Sequence, residues 1–89
     1  MYATTPPTDE IRGMLRAFLE RFFRTADLPD DEDFFATGRV NSLLALQLVF
    51  FLEKELKLQV ENEDLSRENF RSVNAIVGLA ARKLGTQAA

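Results

Sequence analysis

The chain has 89 residues, which bounds it to a single domain with a modest core. It contains no His and no Cys. That excludes zinc-finger ligand sets, thiol nucleophiles, disulfides and a Ser-His-Asp triad, and it makes a self-sufficient small enzyme improbable. The net charge of −3, from 11 basic against 14 acidic residues, lacks the basic footprint of a nucleic-acid binder.

Residues 1–8 read as a flexible N-terminal leader, with Pro6 and Pro7 resisting regular structure. The stretch MYATTPPTDE has neither the basic flank nor the apolar run of a signal peptide. The longest near-apolar run, Leu43 to Leu52, is too short to span a bilayer, so a soluble cytoplasmic protein is expected. A first helix is predicted from Asp9 to Arg24, capped by Thr8 and carrying Asp9 and Glu10 at its positive end. Ile11, Met14, Leu15, Phe18, Leu19 and Phe22 form its apolar stripe. Arg12, Arg16, Glu20 and Arg24 form the face expected to be solvated.

A long connection follows, TADLPDDEDFFATGRVN, over residues 25–41. Its acidic run from Asp30 to Asp33 is expected as a solvated, partner-facing loop, because it lacks the central Gly and ligand spacing of a calcium loop. Phe34, Phe35 and Val40 are expected to pin this loop to the core, and Gly38 to take a conformation closed to other residues. A second helix is predicted from Ser42 to Leu56 or Lys57, capped by Asn41 or Ser42. From Leu43 to Leu52 only Gln47 is polar. A helix that is apolar nearly all round is either the central buried element or has an apolar face that meets a partner. A short helical turn is predicted around Ser66 to Phe70. A last helix is predicted from Val73 to Leu84, capped by Ser72 and stopped by Gly85. No alternating strand pattern appears. The fold class is all-α, a small bundle of three main helices and one short helix.

The segment DFFATGRVNSLLALQLVFFLEKE, from Asp33 to Glu55, resembles the attachment region of acyl and peptidyl carrier proteins. Their pattern is an acidic loop, an aromatic residue, a Gly, and Asp-Ser-Leu opening a long helix. Phe34 or Phe35, Gly38, Ser42 and Leu43 match it, and Leu48, Val49, Leu52 and Leu56 match the inward positions of that helix. The later ENFRSVNAIVGLAARKL, with Phe70, Ser72, Val73 and Ile76, resembles the family's closing segment. The resemblance covers residues 9–84, read as the carrier domain, with 85–89 as a C-terminal tail.

The resemblance implies a four-helix, acyl-carrier-like fold and a monomeric substrate carrier that does no chemistry itself. It implies a 4′-phosphopantetheine arm placed on Ser42 by a phosphopantetheinyl transferase, with acyl or aminoacyl cargo held as a thioester on the arm's thiol. Further implied partners are an acyl- or aminoacyl-loading enzyme and a downstream synthase or acyltransferase. The run GRVNSLLALQLVFFLEKEL is most similar to stand-alone carriers of polyketide and nonribosomal peptide pathways, including those delivering malonyl-type extender units; D-alanyl carriers share the closing pattern. Two departures stand out. Asn41 replaces the usual Asp, which lies near the metal and pyrophosphate during arm transfer, and an amide is a weaker ligand for Mg²⁺. This departure sets two alternatives beside loading by a general transferase: a dedicated transferase, or a degenerate, unmodified carrier. The second helix also balances Glu53 and Glu55 with Lys54 and Lys57, so docking is expected to lean on apolar contact. The partner-binding set is Val40, Leu43, Leu44, Leu46, Gln47, Phe50 and Glu53, with at least two of Leu44, Leu46 and Phe50 exposed. The competing reading is an unmodified helical adaptor that binds a partner through the apolar second helix, with Ser42 as a plain helix cap.

Overall fold

The computed structural model describes residues 8–88, and the side chains of residues 8–85. Five α-helices follow in order: α1 (Thr8–Leu19), α2 (Phe34–Thr37), α3 (Ser42–Glu55), α4 (Arg67–Phe70) and α5 (Val73–Ala88). Short 3₁₀ turns occupy Thr25–Asp27 and Asn62–Asp64. There is no strand among the described residues, and the three long helices are those the periodicity predicts. None of these helices is long and apolar enough to cross a membrane.

The core is one cluster. Ile11, Leu15 and Leu19 of α1 meet Leu44, Leu48 and Leu52 of α3 and Val73, Ile76 and Ala80 of α5, all essentially buried. Helix α1 packs closely on α5, and α4 closes against α5. Phe18 of α1 stacks on Phe51 of α3 with ring centroids 4.9 Å apart.

Helix α1 stops at Leu19, one turn short of the expected Arg24. From there the backbone bonds tighten, with Arg21 N–H donating to Phe18 and Phe22 N–H to Leu19. Periodicity misses the reason, because it lies in side chains that reach beyond the helix. Arg16 donates to the carbonyls of Thr25 and, at 3.0 Å, Leu28. The Glu20 carboxylate accepts the hydroxyl and N–H of buried Thr25. These bonds draw the chain back along α1. They also hold the Glu20 carboxyl below its ordinary pKa, chiefly through the Thr25 hydroxyl. Phe22 is left exposed rather than joining the core stripe. Thr8 is the first helical residue rather than the cap.

The 25–41 connection is more ordered than expected. Helix α2 lies within it, with Phe34 fully buried, and Gly38 caps its C-terminus in the left-handed region at φ 76°. Phe35 does not pin the loop. It faces outward, with the Arg67 guanidinium 5.1 Å over its ring.

The acidic run is tied down at three of its four residues, while Asp31 stays exposed. Asp30 pairs with Arg12 at 3.1 Å and with Arg16, so these two arginines clamp the loop instead of lining a solvated face. Glu32 pairs with Arg39. Asp33 caps α2, accepting from Ala36 N–H at 3.1 Å and Phe35 N–H at 2.9 Å, and these bonds lower its pKa. The loop is tied to the far side of the bundle by Phe34 N–H donating to Arg71 and Asn74 N–H donating to Asp30.

Helix α5 runs through Gly85 to Ala88 and is not stopped there. One Gly in a helix costs at most about 1 kcal/mol, which the packed helix absorbs. Ser72 caps α5 as expected, and Ser66, expected inside the short helical turn, caps α4. Ser72 Oγ accepts from Ala75 N–H at 3.0 Å, and Ser66 Oγ accepts from Asn69 N–H at 3.2 Å. Lys83 of α5 bonds Asp64 at 2.8 Å, which lowers the Asp64 pKa and raises that of Lys83.

Candidate functional site

The site centres on the start of α3. Asn41 is its N-cap, in extended backbone, and its Oδ1 accepts the Leu44 N–H at 2.9 Å. The Asn41 carbonyl accepts the Ala45 N–H, also at 2.9 Å. Capping is therefore done by the residue before Ser42. Ser42 is the first helical residue and is exposed. The chain has three serines. The hydroxyls of Ser66 and Ser72 are both engaged in capping, and Ser72 is buried. Of the three serines, only Ser42 is exposed without a capping role.

The first N–H groups of a helix have no intrahelical acceptor. Here those of Ser42 and Leu43 remain, at the positive end of a 14-residue dipole. A phosphodiester on a serine at this point would be held by these two N–H groups and favoured by the dipole.

From Ser42 onward α3 shows two apolar faces. Leu44, Leu48, Phe51 and Leu52 turn into the core. Leu43, Leu46 and Phe50 turn outward, exposed at 61%, 50% and 49%. Their spacing of three and four residues makes one stripe that begins beside Ser42. Of the three residues expected to divide between core and surface, Leu46 and Phe50 are exposed. Leu44, at 2% exposure, corrects its assignment to the partner-binding set, because its position on the helix faces Leu48 and the core. Val40 is half-buried against the core, and Asn41 is exposed. Gln47 and Phe50 line a groove of about 780 Å³ between α3 and α1, together with Met14, Phe18, Arg21 and Lys54. Glu53 is exposed and accepts the Val60 N–H at 3.3 Å, which ties it to the following loop.

What sequence reasoning missed is how the turn before Ser42 is held. Arg39 pairs with Glu32, and its guanidinium lies 5.0 Å over the Phe23 ring. Its own N–H and that of Val40 both donate to the Phe34 carbonyl, at 2.9 and 3.4 Å. The sequence carries no periodic signal for pairs of this kind.

A family model described as "Phosphopantetheine attachment site" matches residues 9–80. The chain belongs to this family. No curated protein and no solved structure matches it. Domains of this family take a 4′-phosphopantetheine group covalently on a serine, so the protein is a carrier of phosphopantetheine-linked intermediates. Such carriers meet phosphopantetheinyl transferases and biosynthetic enzymes, and are generally substrates of those enzymes rather than catalysts. When bound, the group supplies a terminal thiol that holds cargo as a thioester, a function this Cys-free chain lacks in its own residues.

Proposed function

We propose that Ser42 bears the phosphopantetheine arm and that the carrier presents acyl or aminoacyl thioesters to partner enzymes through the outer face of α3. The observation that carries this reading is the exposed Ser42 hydroxyl at the first position of α3, with the cap supplied by Asn41. In the loading step, Ser42 Oγ forms a bond to the pantetheine-side phosphorus of coenzyme A. The phosphoanhydride P–O bond breaks, adenosine 3′,5′-bisphosphate leaves, and the hydroxyl proton passes to a base on the transferase. The chain's own part is to hold Ser42 outward and to offer the Ser42 and Leu43 N–H groups to the phosphate oxygens.

The docking surface in this reading is the stripe of Leu43, Leu46 and Phe50, flanked by Val40, Gln47 and Glu53. Its apolar character supports docking by desolvation more than by charge. The protein acts as a monomer in the cytoplasm, in polyketide or nonribosomal-peptide-type biosynthesis, where a malonyl-type extender is the favoured cargo class.

The test is intact mass after incubation with coenzyme A, Mg²⁺ and a broad-specificity phosphopantetheinyl transferase, with Ser42→Ala as control. A gain of one phosphopantetheine on the wild type alone is expected. An equal gain on Ser42→Ala overturns the assignment of the serine. No gain with this transferase or with a dedicated one turns the reading to an unmodified adaptor.

A further inference from the structure

We infer that Arg39 is a positioning residue for arm transfer, holding the turn between α2 and α3 so that Ser42 meets the transferase in a fixed place. This rests on Ser42 as the attachment serine. Arg39 lies three residues before it, directly after the left-handed turn at Gly38. Its side chain is held from two directions. Its Nε donates to Glu32, and its guanidinium carbon lies 5.0 Å over the Phe23 ring. Phe23 itself packs edge-on against buried Phe34, with centroids 6.2 Å apart. Glu32 is largely covered and also accepts the Thr37 hydroxyl at 2.9 Å, so it is a fixed anchor.

The backbone of the same turn converges on the Phe34 carbonyl, which accepts from Arg39 and Val40, while Gly38 N–H also donates to Phe35. Arg39 thus ties the turn between α2 and α3 to Phe23, in the segment after α1, beside the contact that Phe34 of α2 makes with the same ring. Without that side chain, residues 38–41 keep their backbone bonds to α2, the half-buried Val40 and the Asn41 cap, but lose the lateral tie to Glu32 and Phe23. Arg suits the role because its planar fork pairs and stacks at once, whereas Lys can pair but presents no plane. Phosphoryl transfer needs the attacking oxygen in line with the leaving group, and a misplacement of about 1 Å can reduce the rate by about a hundredfold.

The experiment measures steady-state loading of the full-length carrier by a phosphopantetheinyl transferase with coenzyme A, read by intact mass. It compares wild type, Arg39→Met, Arg39→Lys and Glu32→Gln. Arg39→Met is expected to lower kcat by about tenfold with a smaller change in KM, and to speed amide exchange at Val40 to Leu43. Arg39→Lys is expected to recover part of the loss, and Glu32→Gln, which keeps the side-chain shape, to lose less than Arg39→Met. Ile76→Val, a core change in α5 remote from the turn, controls for general destabilisation. It is expected to lower thermal stability and leave kcat unchanged. Wild-type kcat in Arg39→Met, or an equal loss in Ile76→Val, overturns the inference while leaving Ser42 as the attachment serine. Loading that persists in Ser42→Ala, or no loading of the wild type, overturns both.

Discussion

The cap at Asn41 makes a quantitative prediction about the stability of the helix that Ser42 opens. In Asn41→Ala the Leu44 N–H loses its acceptor, which sits at 2.9 Å in the wild type. Loss of such a cap costs about 1 kcal/mol, within a range of roughly 0.5–2. In a domain of this size that lowers Tm by about 4–8 °C. Asn41→Asp keeps the accepting oxygen and adds a charge at the positive end of the α3 dipole. Asn and Asp cap about equally, so the net change is the charge–dipole gain, about 0.3–1 kcal/mol and toward the low end because the site is exposed. The folded state favours the carboxylate and depresses its pKa below the unfolded value. The gain is therefore complete above about pH 4 and is lost as pH falls through the folded pKa. It also shrinks in 1 M salt. The assay is urea denaturation followed by far-UV circular dichroism at pH 7 and pH 3, at low and high salt. Wild-type stability in Asn41→Ala would refute the capping argument. A gain in Asn41→Asp that survives at pH 3 would refute the dipole argument.

Gly38→Ala is expected to lose about 1 kcal/mol in the same denaturation assay, because a Cβ there meets nothing within 4 Å and only the left-handed φ of 76° is strained. Leu43→Gln and Leu46→Gln together are expected to shift the urea midpoint very little, since both side chains are at least half exposed, yet to weaken transfer by partner enzymes at least about tenfold. A large loss of stability would instead put these leucines in the core. Acidification is expected to weaken the fold from about pH 4 downward. Glu20, Glu32, Asp33 and Asp64 are all held below their ordinary pKa values, so the unfolded chain takes up protons first. Asp64→Asn, which removes the charge paired with Lys83, is expected to flatten that pH dependence, and an unchanged slope in urea midpoints between pH 5 and 2.5 would contradict it.

Much of the local structure at the candidate site was legible because its signals are local. Asn41 beside Ser42, the Gly four residues earlier and the run of apolar residues after them are read along a single stretch of chain. Their outcome depends on backbone geometry over a few residues, which neighbouring residues control. The end of α1 was not legible. Phe22 continues the helical period, but Arg16 and Glu20 bond the residues beyond it, and periodicity records only where apolar residues fall. The ion pairs of the acidic run were not legible for the same reason. Charge counting sees Asp30 to Asp33 as one patch, whereas Arg12, Arg16 and Arg39 partition it from other parts of the chain.

The sequence by itself determined the helical class, the approximate positions of the three long helices, and the serine at the head of the most apolar one. Hydrophobic period and capping chemistry act over one or two turns, so one dimension suffices to read them. It also required that α3 have an apolar face to spare, without saying which. Only the tertiary structure decided that Leu44 goes inward while Leu43, Leu46 and Phe50 stay outside. It alone decided that Arg39 clasps Glu32 and Phe23 behind the turn that presents Ser42. Both outcomes depend on which surfaces the folded chain brings together, and burial and ion pairing between distant residues have no signature until that packing exists.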